Sequence, residues 1–448
     1  MSYIVYFNVV KGKEIVNSPY NTRQDSFADR VVRGHIVDAS GNILAETAVA
    51  EDGTETRSYP YGAEFAHVVG YSTQGKSGLE SVENFNLLTS NAFFIEKIKN
   101  TFQNVKNQGD TVVTTLNETL QSAAYNAMGD NKGAVMVMEA STGKILAMVS
   151  APSYDPNSVE ENWDYLNSEE SGSALLNRVT QGSYAPGSTF KVVTALEYMR
   201  ENADYGSYQY DCAGEITNDG TTIHCFDYTV HGLQDLRSSM ANSCNSSFAN
   251  IGLSLNRTSY AETAKELLFN SKLPCELDYS KSSFKVAEDT NTAEMMMTAM
   301  GQGQTLVSPY HMALITAAIA NGGTLMNPYL VSQVTNYAGT EVSSTKPSAY
   351  GQLMTSTEAA QLKEYMAAVV SEGTATALSG QSYSVAGKTG TAEYSSESDS
   401  NMDHSWFIGF TNVDNPELVI SVVVEGSDGE STAKAVPIAK QVLDAYYY

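Results

Sequence analysis

The sequence predicts an α+β fold in which helices cover an antiparallel sheet. Two observations predict it: strand patterns joined by short turns stand towards both ends of the chain, and helical patterns fill the middle. Strands linked by short turns pair antiparallel, and helices grouped between them can pack on the faces of the resulting sheet. With 448 residues, the chain can bury a large core and form two or three domains.

The first part of the chain predicts a small separate domain. Its segments are, in order, a hairpin (33–45), a loop-rich stretch (59–88) and a helix (92–107). The pattern becomes longer and more regular after Gln108-Gly109-Asp110. We therefore expect one domain at residues 17–108 and a second at residues 109–448.

The second part predicts the sheet and most of the helices. Predicted helices span residues 115–128, 188–202, 236–255, 302–321, 355–371 and 431–445. Predicted strands span residues 134–139, 145–150, 383–393, 405–411 and 418–425. Ser141-Thr142-Gly143 is a hairpin turn between the first two strands, and Thr355 with Glu358 forms a capping box before the fifth helix.

Composition excludes some classes of partner. A net charge of -25 repels phosphate, so we expect no nucleic-acid partner. No apolar run approaches the roughly 18 residues of a membrane helix. The chain begins with an apolar segment, residues 3–10, which is either the end of a membrane anchor within residues 1–16 or an ordinary first strand.

The cysteines and histidines predict no metal site. Cys212, Cys225, Cys244 and Cys275 form no C-x-x-C pair, and the six histidines are scattered. Cys212 and Cys225 flank a turn rich in Gly and Thr and could form a disulfide outside the cytoplasm. Unpaired buried thiols are the commoner arrangement, so both interpretations stay open.

A serine and a lysine three residues apart predict a nucleophile at a helix start. Ser188 and Lys191 follow Pro186-Gly187 and open a helical pattern, so they lie on one helix face. A desolvated lysine can take the proton that makes a serine hydroxyl a poor nucleophile. Free backbone N–H groups at the helix start suit a developing oxyanion.

The S-x-x-K spacing alone is weak evidence, because it occurs five times in the chain, beginning at Ser141, Ser188, Ser282, Ser343 and Ser431. Ser188 is followed by Ser243-x-Asn245 and by Lys388-Thr389-Gly390 within a predicted strand. S-x-x-K, S-x-N and K-T-G in this order are the shared signature of penicillin-binding proteins and class A β-lactamases. Ser141 also precedes both, but it lies on a hairpin turn, so Ser188 alone has both the order and the context.

Each part of the signature has a chemical reason. Gly390 and its short neighbours let a substrate peptide lie along the strand edge. Lys388 supplies a positive charge for a substrate carboxylate, and Thr389 supplies a hydroxyl beside it. Ser243 and Asn245 bring a hydroxyl and an amide into the cleft for proton transfer and for holding an amide carbonyl. Ser188, Lys191, Ser243, Asn245 and Lys388 are therefore the candidate catalytic residues.

Beyond these motifs, the sequence from Asn17 onward resembles a class B penicillin-binding protein of the small, cell-division type. The matching positions are Arg33-Gly34-x-Ile36-x-Asp38-x-x-Gly41-x-x-Leu44-Ala45, Gly133-Ala134-Val135, residues 145–150, residues 153–157, Asn177-Arg178, Gly301-Gln302-Gly303 and His404-x-Trp406-Phe407-Ile408-Gly409. Thr115-Leu116-Asn117 departs from the family, which has an aspartate there.

The resemblance implies a transpeptidase domain of the penicillin-binding protein/serine β-lactamase-like fold on a small non-catalytic pedestal. It implies a cofactor-free peptidoglycan D,D-transpeptidase that forms an acyl-enzyme on Ser188 and is acylated by β-lactams. The backbone N–H groups of Ser188 and Thr391 would form the oxyanion hole, and Thr389, Gly390 and Thr391 would bind substrate.

The resemblance further implies an extracytoplasmic enzyme on one amino-terminal membrane helix, with a glycan polymerase of the elongation and division family as partner. Three alternatives share the fold: a D,D-carboxypeptidase, a non-catalytic division scaffold and a class A β-lactamase. The last would need a glutamate in an E-x-x-L-N-like element after S-x-N, where this chain has only Glu276-Leu277-Asp278.

Overall fold

The structure is a computed structural model, and it describes residues 29–103, 105–396, 399–426 and 434–448. The apolar segment at residues 3–10, with its alternative assignments as anchor or strand, lies outside these ranges. Within them, no helix combines the length and the apolar character needed to cross a membrane.

A five-stranded antiparallel sheet forms the centre of the larger part of the chain. Its strands lie in the order Val385–Ser396, Asp399–Thr411, Leu418–Val424, Gly133–Glu139 and Ile145–Ala151. All five predicted strands are therefore confirmed, with ends that differ by a few residues. Every residue of Leu418–Val424 is buried, because helices cover both faces of the sheet there.

Helices pack on the sheet on two sides. Pro309–Ala320, buried along its whole length, lies against the central strands, and Glu118–Met128 and Ala435–Tyr447 pack together on the sheet. The remaining helices of this part are Trp163–Leu166, Lys191–Glu201, Leu236–Ala241, Asn245–Ser254, Arg257–Glu266, Thr292–Ala299 and Ser356–Ser371. The capping box of Thr355 and Glu358 is present as predicted.

Two predicted helices differ from the structure. The helix predicted at 302–321 begins only at Pro309, because Gly301 and Gly303 have positive φ and Leu306 and Val307 form β-bridges. The helix predicted at 236–255 is wrong as a continuous element: it ends at Ala241 and a new one begins at Asn245. Between them Ser243 has a φ of 52°, a left-handed conformation that costs about 1–2 kcal/mol in a residue with a Cβ.

The first part of the chain joins the second through a six-stranded sheet. Its order is Glu341–Ser344, Val331–Thr335, Thr111–Thr114, Ile36–Val37, Ile43–Val49 and Glu55–Ser58. The predicted hairpin at 33–45 is confirmed, because Ile36–Val37 pairs antiparallel with Ile43–Val49. The predicted helix at 92–107 is the shorter Phe94–Gln103, because Asn107–Gln108 pairs with Val31–Val32 as a strand.

The stretch predicted as loop-rich contains four short helical segments, Gly62–Glu64, Ala66–Val69, Gly78–Val82 and Asn84–Leu87. They bring Glu80 into the interior, where it is fully buried between two arginines. Arg33 Nη2 lies 2.5 Å from one carboxylate oxygen of Glu80, and Arg57 Nε lies 2.7 Å from the other. We call Arg33, Arg57 and Glu80 the arginine cluster.

Three small hairpin-like sheets complete the fold: Tyr210–Cys212 with Gly232–Gln234, Glu215–Asn218 with Thr221–His224, and Thr324–Met326 with Ala349–Gln352. The first two sheets lie beside the helix Asn245–Ser254, which begins at the candidate site. Cys212 on the first sheet, with Cys225 and His231 next to the ends of their strands, lies close to Cys244 at that helix start.

Candidate active site

Ser188 lies on a 3-10 turn, Gly187–Phe190, that runs directly into the helix Lys191–Glu201. The predicted helix start is thus confirmed in place, but its first turn is tighter than an α-helix. Gly187 has a φ of 53°, and its N–H donates to the carbonyl of Gly301 at 2.9 Å. Phe190, fully buried against Phe284, anchors the turn from the other side.

Three backbone segments meet at the Ser188 turn closely enough to require glycine. A Cβ on Gly301 would lie 1.8 Å from the Gly187 carbonyl oxygen, and one on Gly187 would lie 2.5 Å from the Thr391 carbonyl oxygen. A Cβ on Gly390 would lie 3.0 Å from Thr189 Cγ2. The sequence explains Gly390 by access for substrate; the structure adds that this glycine lets the strand pack against the turn that carries Ser188.

Lys191 is fully buried, and its ammonium nitrogen is held by the Ser243–Asn245 segment. Lys191 Nζ lies 2.7 Å from the Ser243 carbonyl oxygen, 2.7 Å from Asn245 Oδ1 and 3.2 Å from Ser243 Oγ. Burial lowers the pKa of Lys191 to about 7. Near neutral pH, a large fraction of this lysine is therefore the neutral amine that a general base must be.

The interruption between the two helices presents Ser243 and Asn245 to the site. Ser243 and Asn245 are half-buried, whereas Cys244 between them is fully buried. Asn245 also donates from Nδ2 to the carbonyl of His224 at 3.0 Å. The left-handed Ser243 could not be read from the sequence, because only the packing of the two helices requires it.

Lys388 lies in the middle of the strand Val385–Ser396, as predicted, and it is fully buried. Its Nζ donates to the Thr389 carbonyl at 3.0 Å. Burial first, and then the charge of Lys191, hold the pKa of Lys388 well below its usual value. We call Lys191 and Lys388 the lysine cluster. Among the described residues, no Asp or Glu opposes the lowering of either pKa, and only the sulfurs of Cys244 and Cys225 partly oppose that of the Lys191 pKa.

Thr389 and Thr391 face away from Lys388. Side chains alternate along a strand, and burial alternates here too: Lys388 and Gly390 are buried, while Thr389 and Thr391 are half-exposed. Thr389 Oγ1 lies 2.5 Å from Thr374 Oγ1, a hydroxyl that sequence reasoning missed because no motif includes it. Among the described strands this one is the outermost of its sheet, so its far edge can pair with an extended peptide.

A second set of contacts supports the segment before Ser188. Tyr184 Oη donates to Glu425 Oε1 at 2.7 Å, and Arg178 Nε donates to the same oxygen at 2.7 Å. Trp406 Nε1 donates to the Ala185 carbonyl at 3.1 Å. The sequence indicates Arg178 and Trp406 only through the family resemblance; the structure shows that both hold the segment that leads into Ser188.

Four residues near the Ser243 segment could hold a metal ion. Cys212, Cys225, His231 and Cys244 place one ligand atom each within 4.8 Å of one another. The expectation that the chain has no metal site rested on spacing along the sequence, and the fold brings these residues together from separate segments. The sulfurs of Cys212 and Cys225, a disulfide candidate in the sequence, lie 3.6 Å apart as free thiols.

Comparisons with known proteins agree with this geometry. Residues 133–444 match the model of the penicillin-binding protein transpeptidase domain, and residues 33–112 match that of the penicillin-binding protein A dimerisation domain. Peptidoglycan D,D-transpeptidase PbpA of Mycolicibacterium smegmatis is 32% identical over 92% of this chain and 88% of its own length.

Solved structures give the same result. The D,D-transpeptidase domain of a peptidoglycan glycosyltransferase from Eggerthella lenta is 30% identical with a TM-score of 0.84, covering 93% of this chain and 98% of that one. The imipenem acyl-enzyme of penicillin-binding protein A from M. tuberculosis is 29% identical with a TM-score of 0.83, covering 94% of this chain and all of that one. The fold, the ordered motifs and these matches together establish that the chain belongs to the class B penicillin-binding proteins.

Proposed function

We propose that the protein is a serine D,D-transpeptidase that cross-links peptidoglycan stem peptides through an acyl-enzyme on Ser188, and that β-lactams acylate the same residue. The observation that carries the proposal is the buried Lys191 amine. It is held between Ser243 and Asn245 and follows Ser188 by one helical turn. A scaffold protein has no physical need for a buried lysine with a pKa of about 7.

Acylation uses the neutral form of Lys191. A neutral amine has two N–H groups, which match the two acceptors at 2.7 Å, and one lone pair, which remains to take the Ser188 proton. Ser188 Oγ attacks the carbonyl of the penultimate D-Ala while the backbone N–H groups of Ser188 and Thr391 stabilise the oxyanion. The C–N bond then breaks. The proton held by Lys191 passes through Ser243 Oγ, 3.2 Å away, to the nitrogen of the departing D-Ala.

Substrate binding uses the half-exposed face and the outer edge of the strand Val385–Ser396. The hydroxyls of Thr374, Thr389 and Thr391 can donate to the terminal carboxylate from the half-exposed face. Lys388 is fully buried and its Nζ donates to the Thr389 carbonyl, so it positions the segment that carries these hydroxyls. The unpaired edge of the strand then holds the peptide by main-chain hydrogen bonds.

The ester on Ser188 is resolved by an amine from a neighbouring stem peptide, not by fast hydrolysis. The glutamate of the Glu276-Leu277-Asp278 segment accepts the N–H of Leu330 at 3.2 Å, so its carboxylate serves the fold. Asp164 lies on the short helix Trp163–Leu166, ahead of the nucleophile in the chain. This disfavours the β-lactamase alternative, which needs a carboxylate to activate water. D,D-carboxypeptidase activity remains the second candidate, because the same acyl-enzyme serves both reactions.

The cellular location of the enzyme follows from its substrate. Peptidoglycan stem peptides lie outside the cytoplasmic membrane, so we propose an extracytoplasmic catalytic domain on one amino-terminal membrane helix. We further propose that the region matched by the dimerisation-domain model contacts a glycan polymerase, which would supply the strands to be cross-linked. Pull-down of membrane proteins with residues 33–112 intact or replaced tests the second point.

The acyl-enzyme is tested with a fluorescent penicillin. We expect one adduct, mapped by mass spectrometry to Ser188, that is lost in Ser188→Ala and retained in Ser141→Ala, a variant of another S-x-x-K serine. An adduct elsewhere, or none in folded protein, contradicts the proposal. Incubation with a D-Ala-D-Ala peptide and a D-amino acid separates the two activities: exchange product indicates transpeptidation, and the shortened peptide alone indicates carboxypeptidation.

A further inference from the structure

Cys212, Cys225, His231 and Cys244 converge although they lie on four separate segments. Cys212 ends the strand Tyr210–Cys212, and His231 precedes Gly232–Gln234, the strand paired with it. Cys225 follows Thr221–His224, and Cys244 caps the helix Asn245–Ser254. The three cysteines are buried and form a small cluster of their own.

Three distances within this group are close to the edges of a tetrahedral thiolate site, and all its ligand atoms lie within 4.8 Å of one another. The sulfurs of Cys212 and Cys225 are 3.6 Å apart, and those of Cys225 and Cys244 are 3.7 Å apart. Cys212 Sγ lies 3.5 Å from His231 Nδ1. With Zn–S bonds of about 2.3 Å and Zn–N bonds of about 2.0 Å, tetrahedral geometry gives edges of about 3.8 Å between sulfurs and about 3.5 Å from sulfur to nitrogen.

Each sulfur also has a polar neighbour suited to a thiolate. The N–H of Gly214 points to Cys212 Sγ at 3.4 Å, and the N–H of Ser247 points to Cys244 Sγ at 3.4 Å. The hydroxyl of Ser246 lies 3.1 Å from Cys225 Sγ. Hydrogen bonds of this kind orient metal ligands and stabilise their negative charge.

We propose that Cys212, Cys225, His231 and Cys244 bind one structural zinc ion. Three sulfurs and one imidazole nitrogen are ligands that zinc prefers, and four protein ligands leave no open position for catalysis. This replaces the sequence-based expectation of no metal site. C-x-x-C spacing is missing because the ligands come from two small sheets and a helix start instead of one loop.

The position of Cys244 gives the ion a role in the active site. This residue stands between Ser243 and Asn245, both of which hold Lys191 Nζ. Cys225 adjoins His224, whose carbonyl accepts the Asn245 side chain. A zinc ion bound to both cysteines would fix the left-handed turn at Ser243, and with it the acceptors of the Lys191 amine, so the four ligands are positioning residues.

A disulfide between Cys212 and Cys225 is the competing arrangement. It would require the two sulfurs to approach to about 2.05 Å, and it would leave Cys244 and His231 without a role. A disulfide consumes two thiols, whereas zinc uses three and the imidazole. Counting thiols and metal in the same sample therefore separates the two arrangements.

Metal content tests the site directly. The chain is purified without nickel or chelator, and its zinc is measured by inductively coupled plasma mass spectrometry. We expect about one zinc per chain, with four alkylatable cysteines after denaturation without reductant. We expect Cys212→Ser and His231→Asn to lose most of the zinc, and Cys275→Ser, a change of the one cysteine outside the cluster, to retain it. A Cys212–Cys225 disulfide, or free thiols without metal at added zinc, overturns the proposal.

Cobalt(II) substitution tests the ligand set in the wild-type protein, so it does not depend on whether those variants fold. Wild-type protein stripped with a chelator and reloaded with cobalt should show the thiolate charge-transfer and visible bands of a tetrahedral site. Their absence contradicts the proposed ligand set.

The positioning role is tested separately and rests on the proposed function. Chelation should slow acylation of Ser188 by a fluorescent penicillin about tenfold or more, a loss within the range of general-base catalysis, and zinc should restore it. If zinc binds but the acylation rate is the same with and without it, the positioning role is wrong, whereas the zinc site itself stands. Absent acylation in the zinc-loaded protein would instead count against the proposed function.

Discussion

The arginine cluster and the lysine cluster are both buried groups of positive charge, yet they are compensated in opposite ways. In the first, Glu80 forms ion pairs with Arg33 and Arg57. In the second, Lys191 and Lys388 have only neutral oxygen acceptors among the described residues. The first arrangement keeps its charges, whereas the second lowers the pKa values of its lysines.

The pKa values express this difference. Burial alone would raise the pKa of Glu80, but the two guanidinium groups hold it below its usual value. Burial without a carboxylate lowers the pKa of Lys191 to about 7. Removing one partner of a buried ion pair destabilises a fold, whereas a buried lysine with a lowered pKa is a candidate for a reactive group. Substitutions in the two clusters should therefore separate stability from activity.

Lys191→Met should have the largest effect on activity. Methionine keeps the length and the apolar stem but cannot accept a proton, so the rate of Ser188 acylation should fall by about 10²–10⁴-fold. Stability should stay the same or rise, because a buried ammonium no longer has to be desolvated. Stopped-flow acylation with a chromogenic β-lactam and urea unfolding measure the two quantities.

Lys285→Met, a substitution of an exposed lysine, is the control for Lys191→Met and should change neither quantity. If Lys191→Met unfolds the protein and retains acylation in its folded fraction, the lysine cluster is structural and the contrast with the arginine cluster disappears.

Glu80→Gln should have the converse effect. The amide leaves both guanidinium groups buried without a negative charge, which costs about 3–5 kcal/mol of unfolding free energy. Acylation by the protein that remains folded should be little changed, since the lysine cluster is separate. Urea denaturation checks the first expectation, with the exposed Glu51→Gln as a matched control. A loss below about 1 kcal/mol would mean that the charges of this cluster are not coupled.

The pH dependence of stability should show the two clusters in separate windows. The folded pKa of Lys191, about 7, is below the unfolded value of about 10.4. The unfolded chain therefore binds an extra proton between these values, and unfolding free energy rises with pH there by up to about 1.4 kcal/mol per pH unit. Glu80 has a lowered folded pKa, so its contribution is complete above about pH 4.3 and is lost as pH falls through the folded value.

Two measurements check this prediction. Lys191→Met should lose the alkaline rise in unfolding free energy, and Glu80→Gln should lose the acid decline. In the wild type, acylation should fall about tenfold per pH unit below pH 7, because only the neutral amine of Lys191 is a base. An acylation rate independent of pH between 5 and 8 would show that another group takes the Ser188 proton.

The lysine cluster could be predicted from the sequence, and the arginine cluster could not. Ser188, Lys191 and Lys388 stand in a fixed order of short motifs, because chemistry demands particular residue types at a helix start and on a strand. The strands can be predicted for a similar reason. A short continuous apolar run such as residues 418–424 is typical of a strand in a sheet that is covered on both faces.

Features that depend on tertiary contact could not be predicted. Glu80 lies in a stretch without periodicity, so nothing local indicates that it pairs with Arg33, 47 positions away. The left-handed Ser243 and the closeness of Cys212 to Cys244 arise from how separate segments pack. Gly301 also depends on tertiary contact. The sequence matches it to a family position, but only the structure shows that the carbonyl oxygen of Gly187 lies where a Cβ on Gly301 would be.

Arg57→Met should give the smallest effect, and it distinguishes charge balance from the number of bonds. Arg57 donates to Glu80 and to the Gly34 carbonyl at 2.6 Å, while its Nη2 is buried without a partner in the described part of the chain. Removing it leaves Arg33 and Glu80 as a balanced pair. The cost should therefore be about 1–3 kcal/mol for the lost hydrogen bonds, clearly below that of Glu80→Gln. Urea unfolding of both variants and of their combination measures this difference. If Arg57→Met lowers the unfolding free energy as much as Glu80→Gln does, the hydrogen bonds of the arginine cluster stabilise the fold and its charge balance does not. The two clusters would then differ only in the reactivity of the lysines.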